Sequence, residues 1–193
     1  MNILDFLEPD NVPDCVITGI FERHIPLMER YRVIEVKNGF HYPDRTPLDL
    51  HDKKDQHLLK DFKWRVTEEL MEAREAYRNQ DEVHYLEELS DALHFLVETC
   101  VLAGVTPRDI LQNKDPVSPQ VLDVIYFLGL AANCLKNKPW KEHHLLTDVT
   151  KYRGYLVQAF ICLYHLFPVE ENTIYSLYFR KNQVNDFRIK SKY

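Results

Sequence analysis

Two acidic half-motifs mirror each other about one polar break. Glu69-x-x-Glu72 and Glu88-x-x-Asp91 stand on either side of Asn79-Gln80-Asp81. Both flanks carry helical patterning. Glu72 and Glu88 each lie eight residues from Gln80, and Glu69 and Asp91 each lie eleven. Folded as a helical hairpin, 72 comes level with 88 and 69 with 91. Four carboxylates then meet at one height, roughly 12–16 Å from the turn at about 1.5 Å per residue. Residues i and i+3 share one side of a helix, so each half-motif presents its two acids together. Crowded carboxylates repel unless a cation sits among them. Hard oxygen donors select Mg²⁺, with Mn²⁺ a related choice. Leu70, Ala73, Leu89 and Leu93 interleave with the acids. The carboxylates therefore border an apolar seam, where unpaired charge is costly. The competing reading is a solvated charged face, since Glu is a good helix former and such pairs are common on surfaces.

The rest of the chain reads as helices with short connections. Asp52 or Asp55 can open a first long helix, about His57 to Arg78. A second runs from about Glu82 to Ala103 and ends at Gly104, the usual C-terminal role of glycine. Thr106-Pro107 starts a short helix through Leu111, proline being favoured at the first helical position. Pro116–Lys136 predicts a helix apolar nearly all round, hence buried. Leu145–Phe167 predicts another, and Glu170 to about Arg188 the last. Residues 1–54 hold prolines at 9, 13, 26, 43 and 47. They predict an irregular segment with a short helix around Ile20–Tyr31 and a brief extended piece at Val33–Val36. No sustained period-two pattern occurs. The expectation is one all-α domain over 1–193, an antiparallel bundle of five to six helices. Residues 113–170 form a helical insertion between the two motif blocks.

Composition sets limits on partners and setting. The 193 residues are 45% hydrophobic and 28% charged, with five glycines, enough for one real core. Net charge is −6, which argues against nonspecific nucleic-acid binding. The charge is uneven: residues 68–91 hold nine acids and two bases, whereas residues 180–193 hold five bases and one acid. If these segments touch, they make a cation-binding floor under an anion-binding lid. A nucleoside triphosphate with Mg²⁺ has that charge pattern. Cys15, Cys100, Cys134 and Cys162 show neither close pairing nor metal-ligand spacing, which points to a reducing, cytoplasmic compartment. Met1–Asp5 lacks the basic start and apolar run of a signal peptide. Val124–Leu135 is too short an apolar stretch to span a membrane.

The second constellation lies near the C-terminus. Lys181, Asn185 and Arg188 fall at i, i+4 and i+7, one helical stripe. Lys supplies a point charge, Asn an amide and Arg a planar fork for phosphate oxygens. A basic, frayed surface helix would show the same spacing. The fuller pattern Tyr178-x-x-Lys181-Asn182-x-x-Asn185-x-x-Arg188, closing at Tyr193, resembles the C-terminal signature of the all-α dUTPases. These belong to the all-α NTP pyrophosphatases, with MazG-like enzymes and the phage dCTP/dUTP pyrophosphatases. The family's other signature is ExxE followed by ExxD, as in Glu69/Glu72 and Glu88/Asp91. Glu88-Leu-Ser-Asp91-Ala-Leu-His94-Phe95 also looks like the phage members. The resemblance covers about 57–111 and 174–193.

That resemblance implies hydrolysis of a deoxynucleoside triphosphate, dUTP first and dCTP next, to monophosphate and pyrophosphate, with dUDP also accepted. It implies that Glu69, Glu72, Glu88 and Asp91 hold Mg²⁺ and that one Glu takes the proton of the attacking water. It implies that Lys181, Asn185 and Arg188 hold the phosphate chain and that Tyr193 closes over the nucleotide. It also implies a homodimer. Trp64 could stack on a base, with Asn182 nearby in the signature. Asn38, Gln56 and His57 could read a pyrimidine edge. The chain departs from the family in carrying Arg188-Ile189 and Lys192-Tyr193 where Arg-Gln and Gly-Tyr are usual. Two alternatives stay open: the same chemistry on another base, purines included, and a non-catalytic helical module that binds nucleotide or protein. His51-Asp52 resembles the dyad of another phosphohydrolase class, but the other histidines lack matching context.

Overall fold

The computed structural model describes residues 8–113 and 118–191. Among these residues there are seven helices and no strand: α1 (Val16–Lys37), α2 (Lys53–Arg78), α3 (Glu82–Ala103), α4 (Pro107–Leu111), α5 (Val121–Cys134), α6 (Val149–Tyr164) and α7 (Glu171–Ser191). The expected all-α bundle is therefore observed. No helix among the described residues is long and apolar enough to cross a membrane.

Local signals set the helix ends. Asp52 caps α2, its carboxylate accepting from the Lys54 and Asp55 amides. Asp81 caps α3 through the His84 amide. Thr106 and Asp109 form a reciprocal capping box on α4. Gly104 closes α3 in the left-handed region at φ 74°. A Cβ there would lie 2.7 Å from Arg153 Nη2 and 3.0 Å from Pro47 Cβ. Gly104→Ala is expected to destabilise the fold by about 1–3 kcal/mol through backbone strain and this close approach. Denaturant unfolding reads it, and an unchanged midpoint would refute the account.

α3 is the central helix and touches α1, α2, α6 and α7. Leu89, Ala92, Leu93, Leu96, Val97 and Cys100 are fully buried along it. α2 and α3 form an antiparallel hairpin, as do α5 and α6. Ala73, Ala76 and Ala92 keep the α2–α3 seam narrow, with Val66, Leu70 and Leu89 filling it.

The N-terminal expectation needs correction. Residues 16–37 form one helix that includes Pro26, not a short helix followed by an extended piece. Proline has no amide for the Glu22 carbonyl, but Glu22 and Pro26 are both exposed, so water can serve that carbonyl. Val16, Ile20, His24, Leu27 and Met28 supply the buried stripe. Val33 and Val36 stay exposed, and Glu35 pairs with Arg65 of α2 at 3.0 Å, holding the last turns against the bundle.

α5 also differs. It starts at Val121 behind a Gln120–Asp123 capping box, and Pro116 lies outside the described residues. It is not buried all round. Val124, Leu128 and Ala131 face inward, while Leu122 and Tyr126 are 66% and 57% exposed. The apolar content on the outer side has no cover among the described residues. The last two helices are α6 from Val149 to Tyr164 and α7 from Glu171 to Ser191, each shifted by a few residues from expectation.

Candidate functional site

The turn between α2 and α3 decides where the acids fall. Gln80 adopts φ 58°, and the Asp81 amide reaches back to the Ala76 carbonyl at 3.0 Å. This closes α2 and starts α3 within three residues. The carboxylates of Glu69, Glu88 and Asp91 then converge, with ligand-capable atoms all within 4.8 Å of one another. Glu88 is 6% exposed and the other two are half-buried. Glu72 does not join that close group. It is exposed, though its charge is felt by Glu69 and Glu88.

Crowding shifts the protonation of the cluster. Burial, a hydrogen bond with Glu88 and the charges of Asp91, Glu88 and Glu72 push the Glu69 carboxyl up to about 8. Burial pushes Asp91 up to about 6 against the opposing pull of Lys181. Glu88 is raised by burial, while Glu69 and His84 draw it back, His84 Nδ1 lying 3.1 Å from its Oε1. A cluster of this kind retains a shared proton at neutral pH unless another cation replaces it. All the converging donors are carboxylate oxygens, the donor set that suits Mg²⁺ or Mn²⁺.

The basic helix does meet the acidic hairpin. Lys181 Nζ lies 2.5 Å from Asp91 and 3.2 Å from Glu87, and its side chain is 3% exposed. Burial opposes the Lys181 charge, and Asp91 and Glu87 more than restore it. The other signature residues spread outward along α7. Asn182 is buried, with Nδ2 lacking a hydrogen-bond partner, Asn185 is half-buried and Arg188 is exposed. Tyr193 lies outside the described residues. Trp64 is 62% exposed on α2 and donates to Glu68 at 2.8 Å, apart from the converging acids.

Other sequence candidates carry structural contacts. Gln56 is fully buried and binds the Leu50 carbonyl, Thr147 Oγ1 and the Asn137 amide. His51 accepts from the Thr147 amide at 3.2 Å, and Asn38 caps α1. His41, Asp52 and Asp55 also come within metal-binding range of one another. Asp55, however, is fully buried and already engaged by His41, Arg45 and the Asp49 amide. The Arg45 guanidinium occupies that group, so it is a staple rather than an ion site.

A buried polar cluster beside Lys181 escaped the sequence reading. Glu98 accepts from Tyr42 at 2.5 Å and lies 3.4 Å from His24 Nε2. The Tyr178 hydroxyl and His24 Nδ1 are hydrogen-bonded at 2.7 Å. His94 stacks on Tyr178 at 3.8 Å, and its Nδ1 meets the Ser90 carbonyl at 2.8 Å. Its Nε2 is buried without a hydrogen-bond partner. Burial, with the His24 charge second, holds His94 well below the usual imidazole range, so it is neutral. Asp91, His94 and Glu98 at i, i+3 and i+7 carried the signal on α3. His24 carried none, because its helix was only partly legible.

The class defined by this arrangement is an all-α bundle with a carboxylate cluster on a helical hairpin, faced by a cationic last helix. A family model described as dUTPase matches residues 74–193, more than half of the chain. The chain belongs to the dUTPase family of the all-α type, which makes it a nucleotide hydrolase by family. The match includes Glu88, Asp91, Lys181, Asn182, Asn185, Arg188 and Tyr193, whereas Trp64, Glu69 and Glu72 precede it. No curated protein matches the chain, and no solved structure does.

Proposed function

We propose that this protein hydrolyses dUTP to dUMP and pyrophosphate in a reaction dependent on Mg²⁺, with Mn²⁺ as a substitute. dUDP and dCTP are proposed as secondary substrates. The observation that carries this reading is the convergence of Glu69, Glu88 and Asp91 opposite Lys181. Glu69, Glu88 and Asp91 would hold the cation, with Glu72 completing the set from the exposed side. When bound, it would neutralise the phosphate chain and polarise the attacking water. The chain's own residues do the rest. Glu69 and Glu88 share one proton in the cation-free cluster; with that proton displaced by the cation, one of the two carboxylates would be free to take the proton released by the water. Lys181 meets the phosphate chain from the α7 side, with Asn185 and Arg188 further along the stripe and Tyr193 closing. The unpartnered Asn182 Nδ2 and His94 Nε2 are buried polar atoms that the deoxynucleoside can satisfy.

Two further readings go with this. The uncovered outer side of α5, with Leu122 and Tyr126, is proposed as the contact of a homodimer. The four cysteines form no disulfide, which supports a cytoplasmic setting.

The test is a panel of all dNTPs and NTPs with Mg²⁺, scoring pyrophosphate against orthophosphate. Pyrophosphate release with dUTP preferred is expected. A preferred purine would move the assignment to another base, and no turnover of any nucleotide would leave a binding module. Lys181→Ala is expected to weaken triphosphate binding by about tenfold or more while changing nucleoside binding less. Equal losses for both ligands would remove Lys181 from the phosphate contacts.

A further inference from the structure

The side of α2 remote from the acids carries the opposite charge problem. Lys60 lies nine residues before Glu69, roughly 180° away around the helix at about 100° per residue. Its ammonium is held below its usual range by burial and then by the charges of Lys138 and Lys141, which approach from the segment between α5 and α6. One turn on, Lys63 is 4% exposed, and its Nζ has no hydrogen-bond partner. Burial and then the charge of Lys60, three residues earlier on the same helix, oppose its charge, and the Tyr152 ring centroid lies 5.5 Å from Nζ. The Tyr152 hydroxyl is also buried without a partner. Among the described residues, no ion pair engages Lys60, Lys63, Lys138 or Lys141. Four lysines on this face thus stand without an ion-pair partner among the described residues, in a protein of net charge −6.

The loop that brings Lys138 and Lys141 is fixed in place. Asn137 donates through its amide to Gln56 Oε1 at 2.8 Å. Its side chain donates to the His51 and Leu145 carbonyls and accepts from the Leu145 amide at 2.6 Å. Lys53 donates to the Lys141 carbonyl. This clamp holds Lys138 and Lys141 toward α2 despite their mutual repulsion. Trp140 between them is 75% exposed, with Lys138 Nζ 5.2 Å from its ring centroid. An exposed indole flanked by ammonium groups offers a stacking face next to phosphate ligands.

We infer that Lys60, Lys63, Lys138 and Lys141 form a second ligand site, separate from the carboxylate cluster, that binds the oligophosphate chain of a nucleotide, with Trp140 stacking on its base. Lys60, Lys138 and Lys141 contact the phosphate oxygens. Lys63 lies behind Lys60 as a buried amine that burial pushes down to about 7, and a bound anion would hold it protonated. Free pyrophosphate shares this chemistry, and Trp140 separates the two sources.

Calorimetric titration of the intact protein in EDTA tests the site, because the carboxylate cluster then holds no cation. Pyrophosphate and ATP are each expected to bind with one-to-one stoichiometry. Lys60→Gln combined with Lys138→Gln should weaken both by about tenfold or more, and Lys63→Met should weaken both as well. Trp140→Ala should weaken ATP and spare pyrophosphate. Arg188→Ala, on the proposed catalytic helix, should change neither. Absent saturation at millimolar ligand, unchanged affinity in the Lys60/Lys138 or Lys63 variants, or a matching loss in Arg188→Ala overturns the site. Trp140→Ala weakening both ligands equally overturns the stacking role. Tighter binding of a single-stranded polynucleotide than of ATP overturns the small-ligand assignment. None of these readouts depends on dUTP turnover, so the site and the proposed catalysis fail independently.

Discussion

Glu88→Gln is expected to reduce dUTP hydrolysis by on the order of 10²–10³-fold or more while leaving the helical content intact. Glu88 is the most buried of the converging acids and touches both Glu69 and His84. Glutamine keeps the size and one acceptor oxygen but removes the charge a hard cation requires. The same change relieves repulsion in the metal-free fold, so the variant should melt no lower than the parent in EDTA. Glu72→Gln should also abolish efficient turnover, with the smaller loss of the two because Glu72 stands outside the close group. Steady-state kinetics with saturating Mg²⁺ decide it. Near-parental turnover by the Glu88 variant would remove the cluster from catalysis.

The second large effect is the stabilisation given by Mg²⁺, which should grow with pH. Burial and crowding push Glu69 up to about 8 and Asp91 up to about 6 in the folded chain, both above their unfolded values. Raised carboxyl values mean that the protonated cluster stabilises the fold at low pH. That contribution disappears as pH rises through 6 and then 8. His94 and Lys63 are shifted downward, so their contributions run the other way. They act equally with and without Mg²⁺ and cancel in the difference between the two melting curves. At pH 5 protons compete for the carboxylates and that difference should be close to zero. At pH 8, with the cation at about 100 times its dissociation constant, it should reach about 2–3 kcal/mol, or about 5–10 °C in Tm. Scanning calorimetry in EDTA and in Mg²⁺ at both pH values gives the answer. A difference that is flat or shrinking with pH would mean that the acids do not bind the ion.

Legibility followed how local each determinant was. Asp81, Thr106 and Gly104 act within four residues of themselves, and their helix ends fell close to expectation, whereas α2 starts at Lys53 directly behind Asp52, four residues ahead of the expected His57. The height match of Glu69 with Asp91 followed from counting outward from Gln80, because an antiparallel pair converts sequence symmetry into spatial register. Side-chain reach is not fixed by register, and there Glu72 parted from the other three. Pro26 and the Val33–Val36 run made α1 read as broken. The exposure of Glu22 and Pro26 and the Glu35–Arg65 pair are tertiary facts that no local pattern carries. The uniform apolar content of α5 suggested burial, but it cannot say how many neighbours will cover the helix. The Glu98–His24–Tyr178 cluster joins three helices, α1, α3 and α7, and had no single-segment signature.

Lys181 comes ninety positions after Asp91, so the hairpin's partial neutralisation is a long-range property of the chain. During synthesis α2 and α3 emerge with their acids repelling one another, and the compensating ammonium arrives with the final helix. Docking of that helix and tight closure of the hairpin are thereby thermodynamically coupled. The molecule should lose α7 and the α2–α3 register in one cooperative step, and not by fraying inward from its tail.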